Sequence, residues 1–167
     1  DEEDIYSIVA YIRSLKPIEN KVHERSVNFP MNIIVHVIPK PAHFQTRPKP
    51  SDTLAYGKYV TTFAGCGVCH TPAEKGKPLP GMGFAGGFHF QLPWGLVQSA
   101  NITPDIETGI GTWTKAQFIG KFKNLDSEAA NHIAMKPPYS EAYFNTVMPW
   151  TMYAGMTEED LGAIYTY

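Results

Sequence analysis

The 167-residue sequence has two cysteines, little net charge and no long apolar run, and these absences limit what the protein can be. Two cysteines allow one disulfide or the attachment of a cofactor, so they leave the compartment open. With 14 basic and 16 acidic side chains there is no dense positive surface for a phosphate backbone, so we expect no nucleic-acid partner. No apolar stretch reaches the roughly 18 residues that cross a bilayer, so no transmembrane segment is predicted. Because the sequence starts at Asp1 without an initiator methionine, the lack of a leader says nothing about location.

Both ends of the chain predict amphipathic helices of the same construction. Residues 1–15 place apolar side chains at helical spacing behind an acidic first turn, where the helix dipole favours negative charge. The stretch from Thr157 onward repeats this pattern, with Thr157 as the expected N-cap. When the two are aligned, identical residues occur at Glu2 and Glu158, Glu3 and Glu159, Asp4 and Asp160, Ile8 and Ile164, and Tyr11 and Tyr167. We interpret this as an internal repeat, although short helices with acidic starts also resemble each other by chance.

A proline-rich stretch separates the first helix from the rest of the chain. Residues 17–51 contain six prolines, which remove backbone donors and favour an extended linker. Within it, the β-branched residues 33–38 predict one strand that lies against a neighbouring domain.

The second half of the chain alternates predicted helices with an irregular segment. A helix is predicted from Ser51 up to the cysteines, and a capping box at Thr114 starts another that runs through Phe122. The stretch from Lys75 to Trp113 is rich in glycine, proline and aromatic residues and has no period. Such a long irregular segment needs something other than secondary structure to wrap around.

Both cysteines lie in one motif, GCGVCHTP at residues 65–72. Cys66 and Cys69 have the spacing that lets two thiols of a helical turn form thioethers with the vinyl groups of a haem, while His70 ligates the iron from the same side. A redox dithiol also uses C-x-x-C, but it needs a preceding strand, and here a helix is predicted. A zinc site needs further sulfur or histidine ligands, and the chain has no third cysteine.

Three stretches of the sequence resemble successive signatures of the bacterial cytochrome c domains found in tandem in cytochrome subunits of membrane-associated dehydrogenases. They are GKYVTTFAGCGVCHTP, SANITPDIETGIGTW and VMPWTMYAGMTEEDLGAIYTY, and the stretch VNFPMN resembles the link between such domains. The resemblance implies an all-α cytochrome c-like domain at residues 52–167, wrapped around one covalent haem c per chain. It is preceded by the extended linker at residues 17–51 and by the terminal helix of an earlier module at residues 1–16.

The same resemblance implies a helix crossing and a second iron ligand. The helix before the motif would cross the terminal helix with Gly57 facing Leu161 and Ile164. Met148, which precedes a proline in the loop before the terminal helix, is our candidate for the sixth ligand, and Met152 is the alternative. Weaker candidates for the sixth ligand are the remaining downstream methionines and one histidine, namely Met82, Met135, Met156 and His132.

Several loop residues are expected to contact the haem. Asn101, Thr103 and the Trp113 indole offer donors to the propionates, as in the family, but a simple Asx turn explains NITPD equally well. A carbonyl near Pro78 or Pro80 is expected to orient the His70 ring. The aromatic side chains expected to wall the haem are Phe84, Phe88, Phe90 and Trp94.

Taken together, these features predict an electron carrier and no substrate chemistry of its own. Ligation by His70 and Met148 leaves no open iron site and suits outer-sphere electron transfer with redox proteins, such as a membrane-associated dehydrogenase or a terminal oxidase. Haem c is attached after export, which implies the periplasm or the outer face of the cytoplasmic membrane. A haem enzyme with an open or labile sixth position, such as a peroxidase or a small-ligand binder, is the alternative, and a thiol oxidoreductase is a third possibility.

Overall fold

The structure, a computed structural model, describes residues 1–92, 95–125 and 147–167, and it divides into the units 1–47 and 48–167. Within these residues the chain is mostly helical, and no helix there is long and apolar enough to cross a membrane. Trp94, His132 and Met135 lie outside the described residues. The described helices are α1 (Glu2–Ser14), α2 (Met31–Ile34), α3 (Thr53–Phe63), α4 (Cys66–His70), α5 (Lys115–Lys123), α6 (Trp150–Ala154) and α7 (Glu158–Thr166).

The first unit confirms one prediction and corrects another. Helix α1 forms as predicted, and a capping box between Asp1 and Asp4 begins it. The strand predicted at residues 33–38 is wrong, because α2 and the turns after it occupy this stretch. The amides of Ile34 and Ile38 donate to the carbonyls of Pro30 and Ile34, at 3.2 Å each. A lone strand leaves its backbone groups unpaired, whereas helical turns pair them locally, so local pairing overrides the β-branched composition.

The second unit is built from α3, α5, α6 and α7 around a small aromatic and aliphatic core. Phe118 and Phe122 on α5 contact Leu161 on α7, and Leu161 is only 1% exposed. The predicted caps are confirmed, because Thr114 and Gln117 form a capping box at α5 and the Thr157 hydroxyl accepts from the Asp160 amide at α7.

Helices α3 and α7 cross at Gly57, as predicted. A Cβ atom on this buried glycine would overlap the carbonyl of Ala163 and would lie 3.0 Å from the Cβ of Tyr167. The predicted facing residues are therefore wrong, because Leu161 and Ile164 turn toward the core of α5 instead. The Tyr56 hydroxyl donates to the Asp160 carboxylate at 2.7 Å and links the same two helices.

The segment between α4 and α5 contains two β-hairpins, so the expectation of an all-α chain is met only in part. Strands β1 (Ala73–Glu74) and β2 (Lys77–Pro78) pair antiparallel, as do β3 (His89–Leu92) and β4 (Gly95–Gln98). Lys75 and Gly76 join the first pair, and both have a positive φ, as a two-residue hairpin turn of the I′ type requires. This part of the segment thus supplies its own secondary structure.

Candidate functional site

The two cysteines and His70 lie together on α4, a helix of five residues that follows α3 almost directly. Ala64 ends α3, and Gly65 begins α4 in the left-handed region, at a φ of 71°. This change of direction is the reason for the glycine, because other residues rarely adopt that conformation. The motif is therefore helical, and a helix precedes it, unlike the strand that a thioredoxin-like dithiol needs.

The His70 ring is held by a backbone carbonyl. Its Nδ1 atom lies 2.7 Å from the carbonyl oxygen of Ala100. Because a carbonyl oxygen can only accept, Nδ1 carries the proton, and the lone pair of Nε2 is left for a metal. We expected this carbonyl near Pro78 or Pro80, but the carbonyl at Nδ1 in this structure is that of Ala100, and Pro80 lies in an exposed turn after β2. The carbonyl that contacts the His70 ring therefore lies thirty residues after His70, whereas Pro80 is only ten residues after it.

Gly86 brings the Ala100 carbonyl to the histidine. The Gly86 amide donates to the His70 carbonyl at 2.7 Å, and a Cβ on Gly86 would lie within 2.6 Å of the Ala100 carbonyl group and the Asn101 nitrogen. Its φ of 74° also favours glycine. Neither Gly86 nor Ala100 could be predicted from the sequence, in which the only signal is the pair of glycines at residues 86 and 87.

The surroundings of the Cys66 thiol differ from those of a nucleophilic redox cysteine. Burial raises the pKa of the Cys66 thiol, whereas a nucleophilic redox cysteine has a lowered pKa. Cys69 is exposed and neither thiol forms a disulfide. Across the described ranges, no three histidine, cysteine or acidic side chains are grouped to hold a metal ion.

The two candidate sixth ligands lie in different environments. Met148 is half-buried and packs against the core of Phe118, Phe122 and Leu161. Met152, the alternative, is 76% exposed on α6. Met156 also packs against the core, and Met82 is exposed.

The proposed propionate contacts form an ordered loop. The Asn101 side-chain oxygen accepts from the amide and the hydroxyl of Thr103, at 2.9 and 2.7 Å, which is the Asx turn that the sequence also allowed. The Asn101 side-chain nitrogen donates to Thr108 at 2.9 Å. Trp113 is half-buried against the core, and its carbonyl accepts from the Tyr165 hydroxyl at 2.7 Å.

The aromatic side chains expected at the haem lie in two groups. Phe84 has a φ of 62°, and its ring lies 3.4 Å from the position of a Cβ on Gly67 in α4. Phe88 and Phe90 pack on each other with ring centroids 4.9 Å apart. The structure thus brings Phe84 to the motif.

The residues present fit a covalently bound haem. Two unpaired thiols and an imidazole share one helix, and that imidazole keeps Nε2 available because Ala100 holds Nδ1. A half-buried methionine, Met148, lies in the loop before α6. Covalent haem attachment with histidine and methionine ligation uses this set of donors.

No family model matches the chain, but curated relatives do. It is 35% identical over 123 residues to the cytochrome c subunit of the quinone-dependent alcohol dehydrogenase of Gluconacetobacter polyoxogenes, covering 74% of this chain and 23% of the relative. It is 32% identical over 126 residues to the fructose dehydrogenase cytochrome subunit of Gluconobacter japonicus, at 73% and 23% coverage. The gluconate 2-dehydrogenase cytochrome c subunit of Pantoea cypripedii is 32% identical over 111 residues, at 66% and 21%.

This chain therefore spans less than a quarter of the length of these relatives. The resemblance that three stretches of the sequence predicted is confirmed. The chain is a homologue of the cytochrome c subunits of dehydrogenases.

Proposed function

We propose that this chain is a one-electron carrier that binds one haem c. Cys66 and Cys69 would form the thioethers, and His70 and Met148 would be the axial ligands. The observation that carries this proposal is the His70 imidazole, which shares a helix with both thiols and is fixed through Nδ1 by the Ala100 carbonyl. Haem bound in this way supplies an iron that changes between its ferrous and ferric states.

The chain's own residues would tune and protect the bound group. The Ala100 carbonyl oxygen accepts a hydrogen bond from the Nδ1–H group of His70. This bond fixes the ring and would make Nε2 a stronger ligand for a metal. Packing of Met148 against Phe118 and Phe122 keeps its thioether away from bulk water. With both axial positions taken, electrons would pass without a substrate binding to the metal.

We propose that the propionates lie on the loop from Asn101 to Trp113. Asn101 and Thr103 hydrogen-bond each other, so they would act mainly by ordering this loop. The indole of Trp113 would donate to a propionate without bringing a charge, which a partly buried carboxylate needs.

The partners and the location follow from the relatives and the chemistry. We propose that the chain receives electrons from a membrane-associated dehydrogenase and passes them to a further carrier or a terminal oxidase. Because haem c is attached after export, this exchange would take place in the periplasm or at the outer face of the cytoplasmic membrane. Docking would use a small surface, as transient redox encounters do.

We also propose the domain order 1–16, 17–51 and 52–167, with α1 as the closing helix of a preceding cytochrome module. Helix α1 repeats α7 in sequence but buries no residue, whereas α7 buries Leu161, Gly162 and Ala163. Ile5, the counterpart of Leu161, is 47% exposed. Such a face suits packing against a helix like α3. A longer reading frame should encode another C-x-x-C-H upstream of Asp1, and a frame without one would contradict this part of the proposal.

Spectroscopy of methionine variants tests the ligand assignment. A methionine-ligated ferric haem has a weak near-infrared charge-transfer band, and Met148→Ala should abolish it while the colour remains. Met152→Ala is the matched control and should keep the band, because Met152 is largely exposed. The reverse result would assign the ligand to Met152. A parent protein without the band that binds small ligands directly would instead support a haem enzyme with an open position.

A further inference from the structure

Tyr153 joins the segment of Met148 to the segment of the cysteines. It lies on α6, five residues after Met148. Its hydroxyl donates to the carbonyl of Ala64 at 2.6 Å, and Ala64 is the C-cap residue that follows α3, two positions before Cys66. One hydrogen bond therefore connects parts of the chain that are 89 residues apart.

The Tyr153 side chain is fixed by packing and not only by this bond. Its ring meets that of Phe122 edge to face at 6.2 Å and belongs to the shell around the core. Burial raises the pKa of the Tyr153 phenol, so its hydroxyl remains a protonated donor.

The other contacts of α6 hold it to α5. The Lys123 ammonium donates to the carbonyl of Ala154 at 2.7 Å, Ala154 is 0% exposed, and the Trp150 ring packs on Phe122 at 5.2 Å. These contacts fix the position of α6 in the core. The Tyr153 bond has a different role, because it sets how close this helix lies to the junction of α3 and α4.

We propose that Tyr153 is a positioning residue that holds Met148 within reach of the iron. The inference rests on the proposed function, in which Met148 is the sixth ligand. A thioether is a weak, neutral ligand, so it stays bound only if its segment is held at the right distance from the helix that carries His70. Without the hydroxyl, the state with Met148 dissociated should become about three- to tenfold more populated, the effect of one ordinary hydrogen bond.

The test uses the haem-loaded full chain and imidazole, which binds the iron only when Met148 has dissociated from it. Tyr153→Phe keeps the ring against Phe122 and removes only the hydroxyl. We expect its apparent Kd for imidazole to fall about three- to tenfold, since affinity scales with the dissociated fraction. Tyr165→Phe is the matched control, because it removes a similar bond, from a phenol to the Trp113 carbonyl at 2.7 Å, without touching α6. Its Kd should stay within about twofold of the parent.

The outcomes separate the inference from the function on which it rests. If Met148→Ala binds imidazole much more tightly than the parent while Tyr153→Phe matches the parent and Tyr165→Phe, the positioning role is wrong and the ligand assignment stands. If Met148→Ala binds imidazole no better than the parent, the ligand assignment itself fails. An equal fall in Kd for both tyrosine variants would show general loosening of the fold and would also overturn the inference. Thermal unfolding of both variants checks that each is folded.

Discussion

At the scale of single residues, the site depends on a backbone carbonyl and on a glycine that lets it approach. The Ala100 oxygen holds His70, and Gly86 donates to the His70 carbonyl while leaving room for the Ala100 backbone. A side chain on Gly86 would displace that backbone and weaken the hydrogen bond at Nδ1. Without this hydrogen bond, the histidine would be a weaker ligand for the haem iron, and a weaker ligand favours the ferrous state of that iron.

Gly86→Ala should therefore raise the reduction potential, by about a few tens of millivolts, and lower the stability by about 1–3 kcal/mol. Gly87→Ala is the matched control, because Gly87 also has a positive φ of 80° but a Cβ there would meet only the Pro72 Cβ at 4.0 Å. It should lose stability through backbone strain and keep the potential. Redox titration and thermal unfolding measure both effects, and equal potentials in the two variants would refute the role of Gly86.

A second residue-scale prediction concerns Asp105 in the loop after the Asx turn. Its carboxylate accepts from the backbone amide and the hydroxyl of Thr108, and these bonds lower its pKa. A depressed folded pKa means that the bonds stabilise the loop fully above the unfolded value of about 4, and that this contribution is lost as the pH falls through the folded pKa.

Asp105→Asn should therefore destabilise the protein at neutral pH. The difference in stability between the variant and the parent, here called the gap, should shrink below about pH 4. Unfolding midpoints measured across pH give the gap directly. A gap that stays constant down to the acid limit would show that the carboxylate charge does not contribute.

These residues also show what the sequence could and could not reveal about the site. Cys66, Cys69 and His70 follow from their spacing alone, because a helical turn brings them together. The Ala100 carbonyl could not be found this way, since every residue has a carbonyl and the three-dimensional path of the chain selects one. An Asx turn was one of the two interpretations of NITPD, because Asn and Thr carry their own hydrogen-bonding groups.

At the scale of elements, the crossing of α3 and α7 controls how the second unit closes. Gly57→Ala should lower the free energy of unfolding by about 1–3 kcal/mol, because the added methyl overlaps the Ala163 carbonyl. Gly120→Ala on α5 is the matched control, since a Cβ there meets nothing within 4 Å. It should raise stability by about 0.5–1 kcal/mol through helix propensity. Chemical unfolding measures both, and a neutral Gly57→Ala would mean that the helices are not so close.

The elements themselves were predictable where caps and periodicity agree. Helices α1, α5 and α7 each combine a capping residue with regular apolar spacing, so local and tertiary signals point the same way. The strand at residues 33–38 was mispredicted because β-branched composition says nothing about whether a partner strand exists. The hairpins between α4 and α5 were missed because Gly and Pro broke the alternation that indicates a strand.

At the scale of the whole molecule, a bound haem would help to order a unit whose described core is small. The second unit encloses only a few buried apolar side chains among the described residues, and a haem attached at α4 would add a large apolar group to them. The sequence predicted this dependence from the irregular stretch after the motif. What it could not predict was that this stretch also forms hairpins and an Asx turn of its own.

The most direct test of the central claim is whether haem is covalently attached to this chain. The protein is expressed with export and a haem-attachment system, denatured, extracted with acid and solvent, and examined by mass spectrometry and absorbance. The account predicts that the polypeptide keeps its colour and carries the added mass of one haem, and that replacing Cys66 and Cys69 by alanine removes both. A colourless parent polypeptide whose two thiols titrate freely would contradict it.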